Sequence, residues 1–569
     1  MSTQHSSTLI SPRQRAKLAA DLSIGAGNFL HKLVSTADRA LDAPLVWLDR
    51  AWTSPDGERF EHFSAQQLKR LADWYAGFYH ALGVRPRDPV AVYTHSAIDL
   101  LLSYAALTGL GAIPVLINGG LPPEIVAGYV RRAEVVGLVT DEPRAAALRP
   151  LLVGGPSEIR FVRALEAIRG GERSDLPEWY PYEHAAHDPV LITHSSGTTG
   201  FPKAVLMQHQ NFFSAIRYRM GMSVPEASKR ILSALPGSHN SAITMAMFAL
   251  LGGIPIALIS TQNATAVLQE IERFKPTLVA GFSKTFTEMS EENLGAFELS
   301  SVQMWWNSGD AVHETHVRKL MAVGNHIRVG IGGVEVRPGS AFTDCLGSSE
   351  MGHSLFYNTH QPGEARFSRC IGRPFGFVEA AVLSETGAPL PPHQVGRLGV
   401  RSPTLSTGYW NDSALTWRSH LAGYWLTGDL VYRDDDGCFY HVDRLSDAIR
   451  TDEGVIYSLQ VEELLMAKHP AIADCTVIGV PSVDGRRTEA WAFLEMRRDA
   501  ADGAEAADWL HRANATLREH DLLPVARVVH VRHGELPTGV TGKVKKRELR
   551  ERWREFAGSG DDAGAPGPS

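Results

Sequence analysis

His194-Ser-Ser-Gly-Thr-Thr-Gly-Phe-Pro-Lys203 is a hydroxyl- and glycine-rich loop directly after the strand-like Val190-Leu-Ile-Thr193. Small residues let backbone N–H groups approach phosphate oxygens, and hydroxyls add donors. Ser195, Ser196, Gly197, Thr198, Thr199, Gly200 and Lys203 are therefore candidate polyphosphate ligands. A P-loop requires G-x-x-x-x-G-K-[ST], but Lys203 follows Phe201-Pro202 and precedes Ala204, so that alternative fails on spacing. For this stretch alone, a surface loop that happens to be rich in Ser, Thr and Gly remains open.

Around the loop, strand-like and helix-like stretches alternate, as in Pro89–Tyr93, Ala97–Leu110 and Ala112–Leu116. The pattern predicts layered α/β architecture with parallel sheets between helices. Gly171–Pro189, holding Pro177 and Pro181, reads as a connecting loop. Ala242–Ile259 is apolar but interrupted by Gly252, Gly253 and Pro255, which predicts a buried helix running into a strand rather than a membrane span. Gly396–Arg401 and Cys438–Val442, with a turn at Asp434–Gly437, predict a small β-rich subdomain. After Asp443 the pattern becomes a compact α+β unit: helix Leu459–Lys468, strands Cys475–Gly479 and Ala490–Leu494, helix Ala506–Leu517.

A chain of 569 residues exceeds what one core sustains, so at least two domains are expected. The composition, 44% hydrophobic and 21% charged, is that of a soluble globular protein. A net charge of −7 gives no reason to expect nucleic acid or an anionic membrane as partner. Cys345, Cys370, Cys438 and Cys475 lack metal-site or disulfide-framework spacing, which suits a reducing cytoplasm. The polar N-terminus predicts no secretory signal, and no membrane insertion is expected.

Ser195–Lys203, followed by Val205 and Gln208-His-Gln-Asn211, resembles the phosphate loop of the adenylate-forming superfamily of acyl-CoA synthetases, luciferases and peptide-synthetase adenylation domains. Other stretches resemble further motifs of that family in family order. They are Gly347-Ser-Ser-Glu350, Tyr424-Trp-Leu-Thr-Gly-Asp429, Asp443-Arg444 with Asp447, and Leu536-Pro-Thr-Gly-Val-Thr-Gly-Lys543. The resemblance implies a large N-terminal domain of layered α/β subdomains with a small β-rich subdomain, plus a small mobile α+β C-terminal domain. The boundaries expected are 1–25 flexible, 26–443 AMP-binding, 444–446 hinge at Ser446, 447–555 C-terminal domain and 556–569 disordered.

It also implies ATP and Mg²⁺ as cofactors, with Lys543, Glu350 and Thr198 catalytic. Glu350 would hold the metal through a hard oxygen ligand. Asp429 would accept from the ribose hydroxyls with Arg444 in support. Lys543 would be a mobile cation stabilising the transition state more than the ground state. Gly309, Asp344, Leu346, Gly347, Ser348 and Ser349 would line the nucleotide, together with Ser308 and Asp310. Taken singly, Glu350 could cap a helix, Asp429 close a turn, and Lys543 be one exposed lysine among several.

The resemblance places His239 and Asn240 where the family has an aromatic-His pair beside the acyl pocket, with a core histidine bonded to backbone as the alternative for His239; the Gly330–Glu335 stretch with Gly332 is also expected in the substrate pocket. Glu335 either meets a substrate amine or faces solvent. The twin Trp305-Trp306 read as core packing.

Leu346 stands where the family has tyrosine, Ser349 where it has threonine, and Ser446 where it has Asp or Lys. Thr451-Asp452-Glu453 replaces most of a lysine-threonine-glycine-glycine segment whose glycines line the family's pantetheine tunnel, which puts CoA in question. The first-ranked reading is ATP-dependent adenylation of an organic acid followed by thioester formation with CoA. The alternatives are transfer to another nucleophile, such as nitrite activation for an aryl amine by a diazotase in secondary metabolism, and a non-catalytic nucleotide-binding protein.

Overall fold

In a computed structural model, the described residues are 9–37, 41–54, 56–153, 159–170, 173–195, 202–221, 230–309, 312–330, 333–363, 369–482, 487–497, 506–532, 535–537 and 544–557. A seven-stranded sheet carries the phosphate-loop flanks. Its strands run in the order Gly408–Tyr409, Lys203–Gln208, Pro189–Ser195, Ile113–Asn118, Pro89–Thr94, Gly137–Thr140 and Phe161–Ala164. The last five are parallel, and the first two pair antiparallel. All six residues of Pro89–Thr94 are buried, as an inner parallel strand covered on both faces requires. The helix Ala97–Gly109, capped by the Ser96 hydroxyl, is buried along its entire length and joins the main core.

A 14-stranded sheet begins with a mainly parallel half that ends in Leu278–Gly281, Met304–Gly309 and Ala341–Gly347. It continues through the antiparallel strands Ser354–His360, Cys370–Pro374, Phe439–Arg444, Tyr424–Arg433, Gly396–Arg401 and Glu379–Leu383, which form the expected β-rich part. The α/β reading therefore holds. The apolar Ala242 run is likewise a helix, Asn240–Gly252, running toward the strand Ile256–Leu258. Gly253 ends that helix at φ 63°, where a Cβ would come within 2.7 Å of the Ile10 nitrogen. Among the described residues no helix is long and apolar enough to cross a membrane.

The C-terminal stretch has its own three-stranded sheet, Ile472–Pro481, Thr488–Met496 and Arg527–Val531, packed with helices Ser458–Lys468 and Ala506–Glu519 around Val461, Leu465, Val477 and Trp509. Glu463 ties it to the body, paired with Arg369 and 3.1 Å from His313 Nδ1. Burial raises the Glu463 pKa, but Arg369 and then His313 outweigh it and hold the carboxyl at about 2, below its ordinary 4.5. A depressed acid contributes stability above its unfolded pKa and loses it as pH falls toward the folded value. Melting curves of wild type and Glu463→Gln should therefore differ by on the order of 2 kcal/mol near pH 6, with the gap closing as pH drops from 4.5. A gap constant over that range would refute the assignment.

Candidate active site

Strand ends bring the motif segments together. Ser195 lies opposite Lys203 in the antiparallel pair that brackets the loop, and the Lys203 ammonium sits 5.3 Å from the Tyr409 ring centroid. Tyr409 donates a 3.0 Å hydrogen bond to Glu350 Oε1. Burial, reinforced by Glu350, pushes the Tyr409 phenol far above its usual pKa, so it stays a donor. Hydrogen bonds to its carbonyls fix the turn beyond Gly347: Ser406 N donates to Glu350 O at 2.8 Å and Thr404 Oγ1 to Met351 O at 2.9 Å. Ser348 Oγ accepts from Met351 N in the same turn. Sequence reading missed Tyr409 because it belongs to no motif; its strand joins the sheet only by pairing with Lys203–Gln208.

The parallel register sets Asn307 beside Asp344, Ser308 beside Cys345 and Gly309 beside Leu346. Buried Asn307 donates to Asp344 Oδ1 at 2.7 Å. Gly309 has φ 149°, and a Cβ there would press within 3.1 Å of Phe282. Phe282 also meets the His239 ring edge-on at 5.0 Å. His239 caps the helix Asn240–Gly252: its Nδ1 accepts from Ser241 N, leaving Nε2 toward Ser349 Oγ at 3.4 Å. Asn240 Nδ2 donates to Ser349 O at 3.2 Å. His194, at the loop's start, is buried, which lowers its pKa to about 4 and keeps it neutral as an acceptor for Asn118 N.

Asp429 is 1% exposed. Its Oδ1 lies 3.1 Å from His441 Nε2 and 3.2 Å from Arg444 Nη1. Burial raises its pKa, but Arg444 and His441 outweigh that and lower it to about 2, so it is ionised. Among the described residues Oδ2 has no partner, so this buried carboxylate oxygen is an open acceptor. His441 was not foreseen; three residues before Arg444, it is brought to Asp429 by antiparallel pairing of Tyr424–Arg433 with Phe439–Arg444.

At the expected hinge, Arg550 donates to Ser446 O at 3.3 Å and to Asp447 Oδ1 at 2.7 Å. Buried Asp443 accepts from Ser458, whose hydroxyl also takes a 2.7 Å bond from Lys546.

Ser196, Gly197, Thr198, Thr199, Gly200, Asp310, Gly332 and Lys543 lie outside the described residues. One open alternative is resolved and one expectation needs correction. Glu335 belongs to the two-stranded hairpin Asn325–Gly330 and Gly333–Pro338, exposed and 3.0 Å from Arg337, so it faces solvent rather than a pocket. Strand alternation splits the tryptophans. Trp305 is core, its Nε1 bonded to Leu320 O and Ser340 Oγ, whereas Trp306 points to the opposite face and remains partly open.

Among the described residues no group of three or more His, Cys, Asp or Glu is arranged to hold a metal. The single carboxylate of Glu350 fits Mg²⁺, which takes one or two carboxylates and completes its shell with phosphate and water.

The family described as AMP-binding enzyme matches residues 37–410. The chain is 46% identical to the 3-aminoavenalumate diazotase of Streptomyces sp, over 96% of this chain and 99% of that one. It is 29% identical to a long-chain-fatty-acid–CoA ligase of Bacillus subtilis, over 84% and 87%. Its fold matches the O-succinylbenzoate coenzyme A synthetase of Bacillus subtilis, solved with ATP and magnesium ion, with a TM-score of 0.75 at 20% identity, covering 92% and 99%. This chain belongs to the AMP-binding enzyme family and is an adenylate-forming enzyme.

Proposed function

We propose that this enzyme activates nitrite as its adenylate and delivers the nitrosyl group to an aryl amine, an ATP-dependent diazotisation. The observation that carries this reading is the 46% identity to a diazotase across nearly the whole of both chains. In the reading, Ser195–Lys203 cradle the ATP phosphates and Asp429 receives the ribose hydroxyls through its unpaired Oδ2. Gly309, Asp344, Leu346, Gly347, Ser348 and Ser349 flank the base and the reacting centre, and His239 with Asn240 orients the turn before Glu350. Glu350 would hold Mg²⁺, which would offset the charge of the triphosphate and of the pyrophosphate that leaves. Lys543 supplies the moving cation, with the C-terminal domain pivoting near Ser446. The substrates are small molecules, and the four free thiols suit the cytoplasm.

A nitrite oxygen attacks the α-phosphorus and pyrophosphate departs. The amine nitrogen then attacks the nitrosyl nitrogen, the N–O bond to AMP breaks, and the amine loses a proton. Protonation of the resulting nitrosamine and loss of water leave the diazonium.

A second reading, transfer of an acyl group to CoA, is favoured by the CoA-ligase relative. Against it stands the hairpin Ile449–Thr451 and Gly454–Ile456, whose turn carries Asp452 and Glu453; Asp452 pairs with Arg487 at 3.5 Å. Pyrophosphate release by the full chain with ATP and Mg²⁺ over a panel of amino-aryl acids, each with nitrite, CoA or neither, separates the two. Turnover that requires both nitrite and amine is expected; turnover with CoA and an acid, and none with nitrite, would establish the ligase instead.

A further inference from the structure

Arg219, in the last turn of the helix His209–Gly221, has no carboxylate counterion among the described residues and stands at the edge of this site. Its guanidinium lies 4.7 Å from the Trp306 ring centroid and 6.0 Å from that of Phe248. The groups within its electrostatic reach are Cys345 and His353. Burial holds the Cys345 thiol protonated, and burial together with Arg219 keeps His353 neutral. Among the described residues, the thiol is the sole group that favours the guanidinium's charge, and no carboxylate pairs with it. Burial consequently lowers its pKa to about 10, although the side chain keeps part of its surface open.

The position is specific. Trp306 precedes Asn307, Ser308 and Gly309 on their strand, Cys345 sits between Asp344 and Leu346, and His353 follows Glu350 by three residues. Arg219 thus borders the strands Met304–Gly309 and Ala341–Gly347 and lies within electrostatic reach of His353 in the turn after Glu350. His353, Phe375, Phe377 and Tyr218 continue the aromatic wall, with ring centroids 4.7 to 6.4 Å apart. A ring face attracts a cation but cannot accept the in-plane hydrogen bonds that a guanidinium offers; a carboxylate accepts two of them side by side. A cation set among aromatic rings and neutral groups is complementary to a planar aromatic anion.

We propose that Arg219, with Trp306 and Phe248, is a specificity-determining receiver for the carboxylate of an amino-aryl acid, which stays unactivated while the amine faces the adenylate. The inference rests on the diazotisation reading and deepens it: a carboxylate docked on Arg219 is the substrate's handle, and the nitrogen is its nucleophile. The name of the diazotase relative, an amino compound that is also a carboxylate, is consistent with such a two-ended substrate.

The test is calorimetric titration of wild type, Arg219→Lys and Arg219→Met with 3-aminobenzoate and with 3-aminobenzamide, in the presence of AMP. Wild type should prefer the acid. Arg219→Met should weaken the acid by about 10- to 100-fold, the loss typical of a charged hydrogen bond, and leave the amide within about twofold. Arg219→Lys should keep part of the preference. Equal weakening of both ligands, or a wild type indifferent to the carboxylate, overturns the inference. A product assay separates its failure from that of the parent reading. Nitrite-dependent AMP release with equal losses on acid and amide refutes the role of Arg219 alone, whereas an acyl-adenylate or thioester formed from the same acid refutes both.

Discussion

Replacing Lys543 by alanine is expected to slow adenylate formation roughly 100- to 1,000-fold, the usual cost of removing one preorganised charge donor from a transition state. The loss should fall on kcat, with the KM for ATP moving little, because the lysine is assigned to charge that develops as pyrophosphate leaves and not to the resting nucleotide. Both flanks of its segment are anchored. Leu536 packs with Ile478, Val480 and Trp491, and Lys545 N donates to Pro537 O at 2.7 Å. On the far side Lys546 donates to Glu462 Oε1 at 2.7 Å and to Ser458. Alanine at 543 leaves those anchors intact, so the folded protein should melt within a degree or two of wild type. Pyrophosphate exchange measured on Lys543→Ala checks this; a change confined to KM would remove Lys543 from the chemistry.

Converting Asp429 to alanine should raise the KM for ATP by about 10- to 100-fold, equivalent to the loss of roughly 1.5 to 3 kcal/mol in charged hydrogen bonds. It should also destabilise the fold, because Arg444 and His441 lose the carboxylate that they both approach within 3.2 Å. Asp429→Asn separates the two effects: it keeps the shape and one acceptor while discarding the charge, so stability should suffer less than with alanine. A nucleoside triphosphate lacking ribose hydroxyls supplies the control. If wild type binds the deoxygenated analogue as well as ATP, or if Asp429→Asn leaves the KM for ATP within about twofold, the ribose does not sit on Asp429.

Much of this was legible because glycine, proline and short polar motifs have local meaning. Gly252, Gly253 and Pro255 marked the end of a buried helix, and the alternation around Pro89 and Ala97 predicted a strand followed by a helix, as the structure has them. The phosphate-loop flanks, Glu350, Asp429 and Arg444 could be singled out as candidates for a related reason: each lies in a contiguous segment that resembles a family motif. His441, Tyr409 and Arg219 carried no such mark. Each acts on a residue from a distant segment, and a lone His, Tyr or Arg in sequence has ordinary structural uses.

The sequence by itself determined the α/β class through local periodicity, and the order of its motif segments carried the resemblance that implied adenylate-forming chemistry. Only the tertiary structure decided which side chains complete the centre. Strand register set Asn307 against Asp344 and brought His441 to Asp429. Strand alternation buried Trp305 and turned Trp306 toward Arg219. The projecting hairpin carried Glu335 into solvent. The physical reason is the same throughout: pairing and packing between segments far apart in the chain fix where a side chain points and what neutralises it, and no local pattern encodes either.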